Sequence, residues 1–217
     1  MEYQEIREQV IQGCLAIQQK GLIRGTSGNV SVRSSDGTAV AISPSGIPYE
    51  ILTPEMVPVV DLAGNIILEG KKPSSELPMH LMVMNARPDA GCIIHTHSKF
   101  SIILSIIGEK LPVNTIPLIM MMSPDPAPIV PFEFPGSPEL GAAVVEYLGD
   151  SGHAVIMEHH GLLTLGKDLG EALTIAEYIE EGAEIAYYCR LADGKAKGIP
   201  DDKVAEMMKI LMSGRAL

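Results

Sequence analysis

The sequence predicts a single α/β domain over residues 1–217, built on a mixed sheet with helices on both faces. Three observations lead there. A chain of 217 residues with 46% hydrophobic content can bury a full core within one larger domain. Strand-like and helix-like segments alternate from end to end and do not fall into separate blocks. No internal repeat, low-complexity tract or linker divides the chain.

The segment EYQEIREQVIQGCLAIQQKG sets Ile6, Val10, Cys14 and Ile17 along one helical stripe, and Gly21 stands where a left-handed cap would end it. After GTSGN, the alternation of Val30 and Val32, the turn SSDG and the run TAVAI read as a hairpin of two strands. Thr53 as N-cap and Pro54 as first helical residue suggest one short turn of helix before the strand VPVVDL. In SELPMHLMVMNAR, Ser75 is the expected N-cap, Glu76 falls in the first turn, and Pro78 is early enough that its missing N–H costs little.

GCIIHTH then reads as a buried strand, and Ser98 as the cap of a helix KFSIILSII that stops at Gly108. TIPLIMMM and APIVPF are expected to be strands around a proline-rich connection. Ser137 and Pro138 open a helix ending near Gly149, and HAVIM and LLTL flank EHHG as two more strands. Asp168 and Glu171 form a capping-box pattern at the head of a long striped helix ending at Gly194, and a last short helix follows Pro200.

Charge narrows the function classes. With 16 basic and 27 acidic residues the formal net charge is −11, which argues against a nucleic-acid or anionic-membrane surface, since both need clustered Lys and Arg. A bound anion would need local donors. Cys14, Cys92 and Cys189 are odd in number, widely spaced and set in apolar segments that read as buried, which fits a reducing cytoplasm. The N-terminus has no apolar signal core, and the longest apolar stretch, IIHTHSKFSIILSII, is interrupted well short of a membrane span.

The chemistry concentrates in histidines and one acid. On a strand, His95 and His97 project from the same side about 6.6 Å apart along the backbone, a spacing suited to two imidazoles on one ion. Either His159 or His160, where a strand ends in glycine, can supply a third nitrogen. With Glu76 as an exchangeable acid, this makes a four-ligand set for zinc. His80, one helical turn after Glu76, reads as a supporting or structural residue and not a ligand. A cupin-type iron site also uses H-x-H but needs a nearby Glu, and the first acid after His97 is Glu109.

Three short stretches, Gly25 to Asn29, Ser43 to Gly46 and Pro73 to Ser75, combine glycines with hydroxyls. The helix start after Ser75 adds its partial positive charge, so together they suit a phosphate held without lysine. None matches a nucleotide-binding glycine pattern.

Five of these stretches, GLIRGTSGNVSVR, SPSGIPYEILT, GKKPSSELPMH, RPDAGCIIHTHS and EHHGLLTLG, resemble the class II aldolase/adducin family, and within it the L-fuculose-phosphate aldolases. The resemblance runs in order from about Glu5 to Leu191. It implies a three-layer α/β/α fold with a mixed, largely antiparallel sheet, and a homotetramer with active sites between subunits. It also implies zinc, or another divalent ion such as Mn2+ or Co2+, on His95, His97 and His160, with Glu76 binding metal in the free enzyme and then moving protons. Gly28, Asn29, Ser45, Gly46, Ser74 and Ser75 match its phosphate-site positions.

The reaction implied by the resemblance is cleavage of a ketose 1-phosphate to dihydroxyacetone phosphate and an aldehyde. Similar aldolases carry a tyrosine after the helix that follows H-x-H and another in the C-terminal tail. Here the first region reads LPVNTIPLIMMMSPDPAP and no tyrosine follows Tyr188. That departure leads to a 5-deoxy- or 5-methylthio-ribulose 1-phosphate as the expected substrate in place of L-fuculose 1-phosphate. Met120, Met121 and Met122 read as buried strand, with an apolar pocket for the substrate tail as the alternative. Rival functions within the family are a sugar-phosphate 4-epimerase and a methylthioribulose-1-phosphate dehydratase with Glu109, Asp125 or Glu133 as its acid. A non-enzymatic adducin-like binding module is disfavoured by the intact ligand set.

Overall fold

The computed structural model describes residues 3–119, 125–192, 194 and 196–213. Eight strands join one sheet: β1 (Asn29–Arg33), β2 (Ala39–Ile42), β3 (Val59–Asp61), β4 (Ile66–Leu68), β5 (Cys92–Thr96), β6 (Ile129–Val130), β7 (Ala154–Met157) and β8 (Gly161–Gly166). Their order is β4-β3-β2-β1-β5-β8-β7-β6. Neighbours are antiparallel except β6 and β7, which are parallel, so the sheet is mixed and largely antiparallel.

Every residue of β5 and β8 is buried, as expected of strands covered on both faces. The two-residue period divides their side chains between two cores. On one face Val30, Val32, Cys92, Ile94 and Leu162 meet α1 (Gln4–Gln19), α3 (Lys99–Ile107) and α6 (Leu169–Leu191). On the other, Ile93, Val155, Leu163 and Leu165 meet α2 (Leu77–Ala86) and α5 (Pro138–Leu148). The result is a three-layer α/β/α arrangement. In α1 the predicted stripe Ile6, Val10, Cys14 and Ile17 is the buried face. Ser137 Oγ accepts from the Leu140 amide, as an N-cap should.

Several local expectations are corrected. Ile116–Ile119 is a short helix, α4, and not part of a strand. Pro117 sits in its first turn, where a missing N–H costs nothing, and Leu118 and Ile119 are buried beside α6. Met120, Met121 and Met122 lie outside the described residues. Cys14 and Cys92 are buried, but Cys189 is exposed on the outer side of α6. At the head of α6, Asp168 Oδ1 accepts from the Glu171 amide at 2.9 Å, while Glu171 Oε2 reaches past the N-cap to the Lys167 amide at 2.7 Å. α7 (Asp201–Met212) follows Pro200. None of the described helices is long and apolar enough to cross a membrane.

Candidate active site

Glu76 is itself the N-cap residue of α2, one position later than the sequence suggests, and Ser75 is not the cap. Its side chain makes no capping bond. Ser74 closes the turn instead, its carbonyl accepting from the Leu77 amide at 3.1 Å and its Oγ from the Glu76 amide at 3.3 Å. The carboxylate is thereby free to turn toward the sheet. Asn29 Nδ2 donates to Glu76 Oε2 at 2.7 Å.

His95, in the middle of the sheet, is fully buried on β5. His97 lies one residue past the end of that strand and is exposed. His160 directly precedes β8, after His159 takes a left-handed conformation at φ 56° that turns the chain. The three rings meet edge to face, with centroids 4.8 to 5.4 Å apart, and each offers a nitrogen within 4.8 Å of the others. Glu76 Oε2 is 3.1 Å from His95 Nε2, and Oε1 is 3.1 Å from His160 Nε2. His159 points elsewhere: its side chain is exposed, near Phe132.

The donor set fits a divalent cation. His95 Nδ1–H donates to the Leu162 carbonyl at 3.0 Å, which leaves its Nε2 lone pair directed into the cluster. Buried His95 Nε2 and Glu76 Oε1 have no hydrogen-bond partner, an arrangement that is costly unless a ligand completes it. Burial pushes His95 down to about 3, only partly opposed by the Glu76 charge, so it stays a neutral ligand at neutral pH. His97 is also lowered, by burial and by His160. Burial would raise the Glu76 carboxyl, but the facing His95 and His160 and the Asn29 amide outweigh it and hold the group well below the usual carboxylate range.

A cleft of about 310 Å³ opens beside this cluster, lined by Gly28, Asn29, Ser45, Gly46, Ser74 and Ser75 together with Glu76, His97 and His160. The structure therefore brings residues from all three predicted loops to one place. No lysine or arginine lines it among the described residues, so an anion there would be held by hydroxyls, backbone N–H groups and the start of α2. Gly28 is confined to glycine twice over: its φ is +82°, and a Cβ would lie 2.7 Å from the His95 carbonyl oxygen. Tyr49 Oη donates to the Gly28 carbonyl at 2.7 Å and fixes this loop from behind.

Two contributors escaped sequence reasoning. Ser98 does not cap α3 through its side chain; Glu180, on α6, accepts from the Phe100 and Ser101 amides at 2.8 and 2.9 Å and so anchors the turn that follows His97. Asn29 was expected only at the phosphate position, yet its side chain serves Glu76. No local signal marks either contact, because the partners are 80 and 47 residues apart.

The model of the class II aldolase and adducin N-terminal domain matches residues 8–187. The chain belongs to the class II aldolase and adducin family. It is 35% identical over 209 residues to a 5-deoxy-D-ribulose 1-phosphate aldolase of Bacillus thuringiensis serovar kurstaki, covering 96% of each protein. It is 37% identical over 180 residues to an L-fuculose phosphate aldolase of Haemophilus influenzae, covering 83% of this chain and 81% of that one. A solved L-fuculose 1-phosphate aldolase superposes with a TM-score of 0.87 at 27% identity, with 96% of both chains covered. In fold and sequence the chain is a class II aldolase, a metal-dependent lyase.

Proposed function

We propose that this enzyme cleaves a ketose 1-phosphate between C3 and C4 into dihydroxyacetone phosphate and an aldehyde, using zinc held by His95, His97 and His160 with Glu76 as exchangeable fourth ligand. The observation that carries this is the convergence of three imidazoles and one carboxylate at the mouth of a hydroxyl-lined cleft. Mn2+ or Co2+ would suit the same donors.

When bound, the ion supplies Lewis-acid polarisation of the ketone and its neighbouring hydroxyl. The chain's own residues do the rest. Gly28, Asn29, Ser45, Gly46, Ser74 and Ser75 hold the phosphate, so that binding energy from a remote group orients the reacting carbons. Glu76 moves the proton at C3. In cleavage the 4-hydroxyl proton passes to water as the C3–C4 bond breaks into aldehyde and enediolate, and C3 takes a proton from Glu76 after the carboxylate has picked one up from water, so one proton leaves and one returns. In the reverse direction Glu76 is the base.

A 5-deoxy- or 5-methylthio-ribulose 1-phosphate is the preferred substrate in this account, ahead of L-fuculose 1-phosphate. The reading is supported by the stretch LPVNTIPLIMMMSPDPAP, which carries no tyrosine, and by the Bacillus relative's activity. An apolar pair on the segment leading to Pro135 at the cleft, Phe132 and Phe134 at 5.7 Å, adds to it. We further propose a cytoplasmic homotetramer, in keeping with exposed apolar residues such as Ile106, Ile107 and Tyr188. Incubating the metal-loaded protein with a panel of ketose 1-phosphates and 5-phosphates tests the reaction. Triose phosphate is expected from the 1-phosphates, fastest from the 5-deoxy compounds. Epimer formed from a 5-phosphate, with no triose phosphate from any substrate, would contradict it.

A further inference from the structure

Behind Glu76 a line of buried hydrogen bonds continues away from the site. Glu76 Oε2 accepts from Asn29 Nδ2 at 2.7 Å, Asn29 Oδ1 meets His80 Nε2 at 2.5 Å, and His80 Nδ1 meets Ser31 Oγ at 2.7 Å. Two periodicities bring these residues together. Asn29 and Ser31 are two apart on β1 and so share a face, while Glu76 and His80 are four apart at the start of α2 and so lie one above the other. Ser31 and His80 are 0% exposed and Asn29 is 5% exposed, so water does not compete for these bonds.

The line has one consistent direction. An ionised carboxylate only accepts, so Asn29 must present its NH2 to Glu76 and its oxygen to His80. His80 then carries its proton on Nε2, and its Nδ1 accepts from the Ser31 hydroxyl. The shape of an amide does not distinguish its oxygen from its nitrogen. In the flipped orientation Asn29 Oδ1 would face the carboxylate in a buried site, leaving two acceptors opposed and the His80 N–H without an acceptor. Both ends of the line oppose the flip, Glu76 as an acceptor facing the NH2 and His80, held by Ser31, as a donor facing the oxygen.

We propose that Ser31 and His80 are positioning residues for proton transfer. Acting through Asn29, they hold Glu76 with Oε2 engaged, which leaves Oε1, the oxygen without a hydrogen-bond partner, to exchange a proton with the substrate. The inference rests on the aldolase function proposed above. Neither residue lines the cleft, and neither belongs to the metal-ligand set proposed for His95, His97, His160 and Glu76.

The first test needs no turnover. In the metal-free 15N-labelled protein at neutral pH, two-bond proton–nitrogen correlations should place the His80 proton on Nε2, with Nδ1 as acceptor. A proton on Nδ1 would overturn the relay. The second test uses the metal-loaded enzyme. His80→Leu should lower kcat by about tenfold or more, with KM for the ketose 1-phosphate within about twofold and metal content unchanged. His80→Gln, which offers an N–H near the Nε2 position, should recover most of that loss.

If His80→Leu fails to fold, Ser31→Ala serves in its place, with a smaller fall in kcat and the same unchanged KM. Equal losses in the Gln and Leu variants, or a rise in KM with kcat intact, would overturn the proposal. Absence of turnover by the wild-type protein would instead contradict the aldolase function, a result distinct from the wrong His80 tautomer.

Discussion

The two halves of the active site are built in opposite ways. The core of the metal-facing half is inside the protein, with only His97 exposed at its rim: Glu76 is 7% exposed, His95 is fully buried, and each of these two is held by bonds to residues behind it. The phosphate-facing half is made of loops, with Ser45, Gly46 and Ser75 at least partly open to solvent. Groups that must hold a fixed protonation state and direction are packed where water cannot reorient them. Groups that only need to close around an anion are left free to adapt. Damage to the first half is therefore expected in kcat and stability, and damage to the second in KM.

The sharpest way to break this contrast is Glu76→Gln. It should lower turnover by about a thousandfold, within the usual range for losing a general acid or base, while affinity for inorganic phosphate, measured by calorimetry, stays unchanged. Turnover near the wild-type level would remove Glu76 from the proton path.

Acid should act next most strongly, and through the buried half. His80 is pushed down to about 4, chiefly by burial with Glu76 opposing, and His95 to about 3. Both folded values lie below the unfolded one, so the unfolded chain binds more protons as pH falls below about 6.5. Metal-free protein should lose about 2 kcal/mol per histidine by about pH 5 relative to pH 8. Glu76 is also depressed, so its own contribution is lost only below the ordinary carboxylate range, at still lower pH. Denaturant titrations at several pH values measure this, and a flat profile between about pH 8 and pH 5 would contradict the neutral buried histidines.

Gly28 joins the two halves. Gly28→Ala adds a methyl 2.7 Å from the His95 carbonyl oxygen at a positive φ. It should cost about 2 kcal/mol of stability and raise KM, read by thermal melts and steady-state kinetics. Ser75→Ala belongs wholly to the loops. It should raise KM by about fivefold, the worth of one hydrogen bond, with kcat and melting temperature intact; a kcat defect would erase the distinction between the halves.

Legibility in the sequence followed the same division. The hairpin of β1 and β2, the stripe of α1, the caps at Ser137 and Asp168, and the strand carrying His95 all depend on neighbours in the chain, so periodicity revealed them. The histidine spacing was legible because a strand's two-residue repeat is a local property, and Gly28 and Gly46 because turns leave a compositional mark. Local pattern failed where distant partners decide. Ser98 looked like a cap, but Glu180 on α6 supplies the acceptor. Ile116–Ile119 looked like a strand until burial beside α6 made it a helical turn. Cys189 lies in an apolar run, yet α6 turns it outward. Position alone did not distinguish His159 from His160; the left-handed turn at His159 separates them.

Crystals grown with zinc and measured on both sides of its absorption edge address the central claim most directly. One anomalous peak is expected among His95, His97 and His160, about 2.0–2.1 Å from a nitrogen of each, with the cleft of Ser45 and Ser75 beside it. Density with no peak between these rings, or a peak bound elsewhere on the protein, would contradict the account.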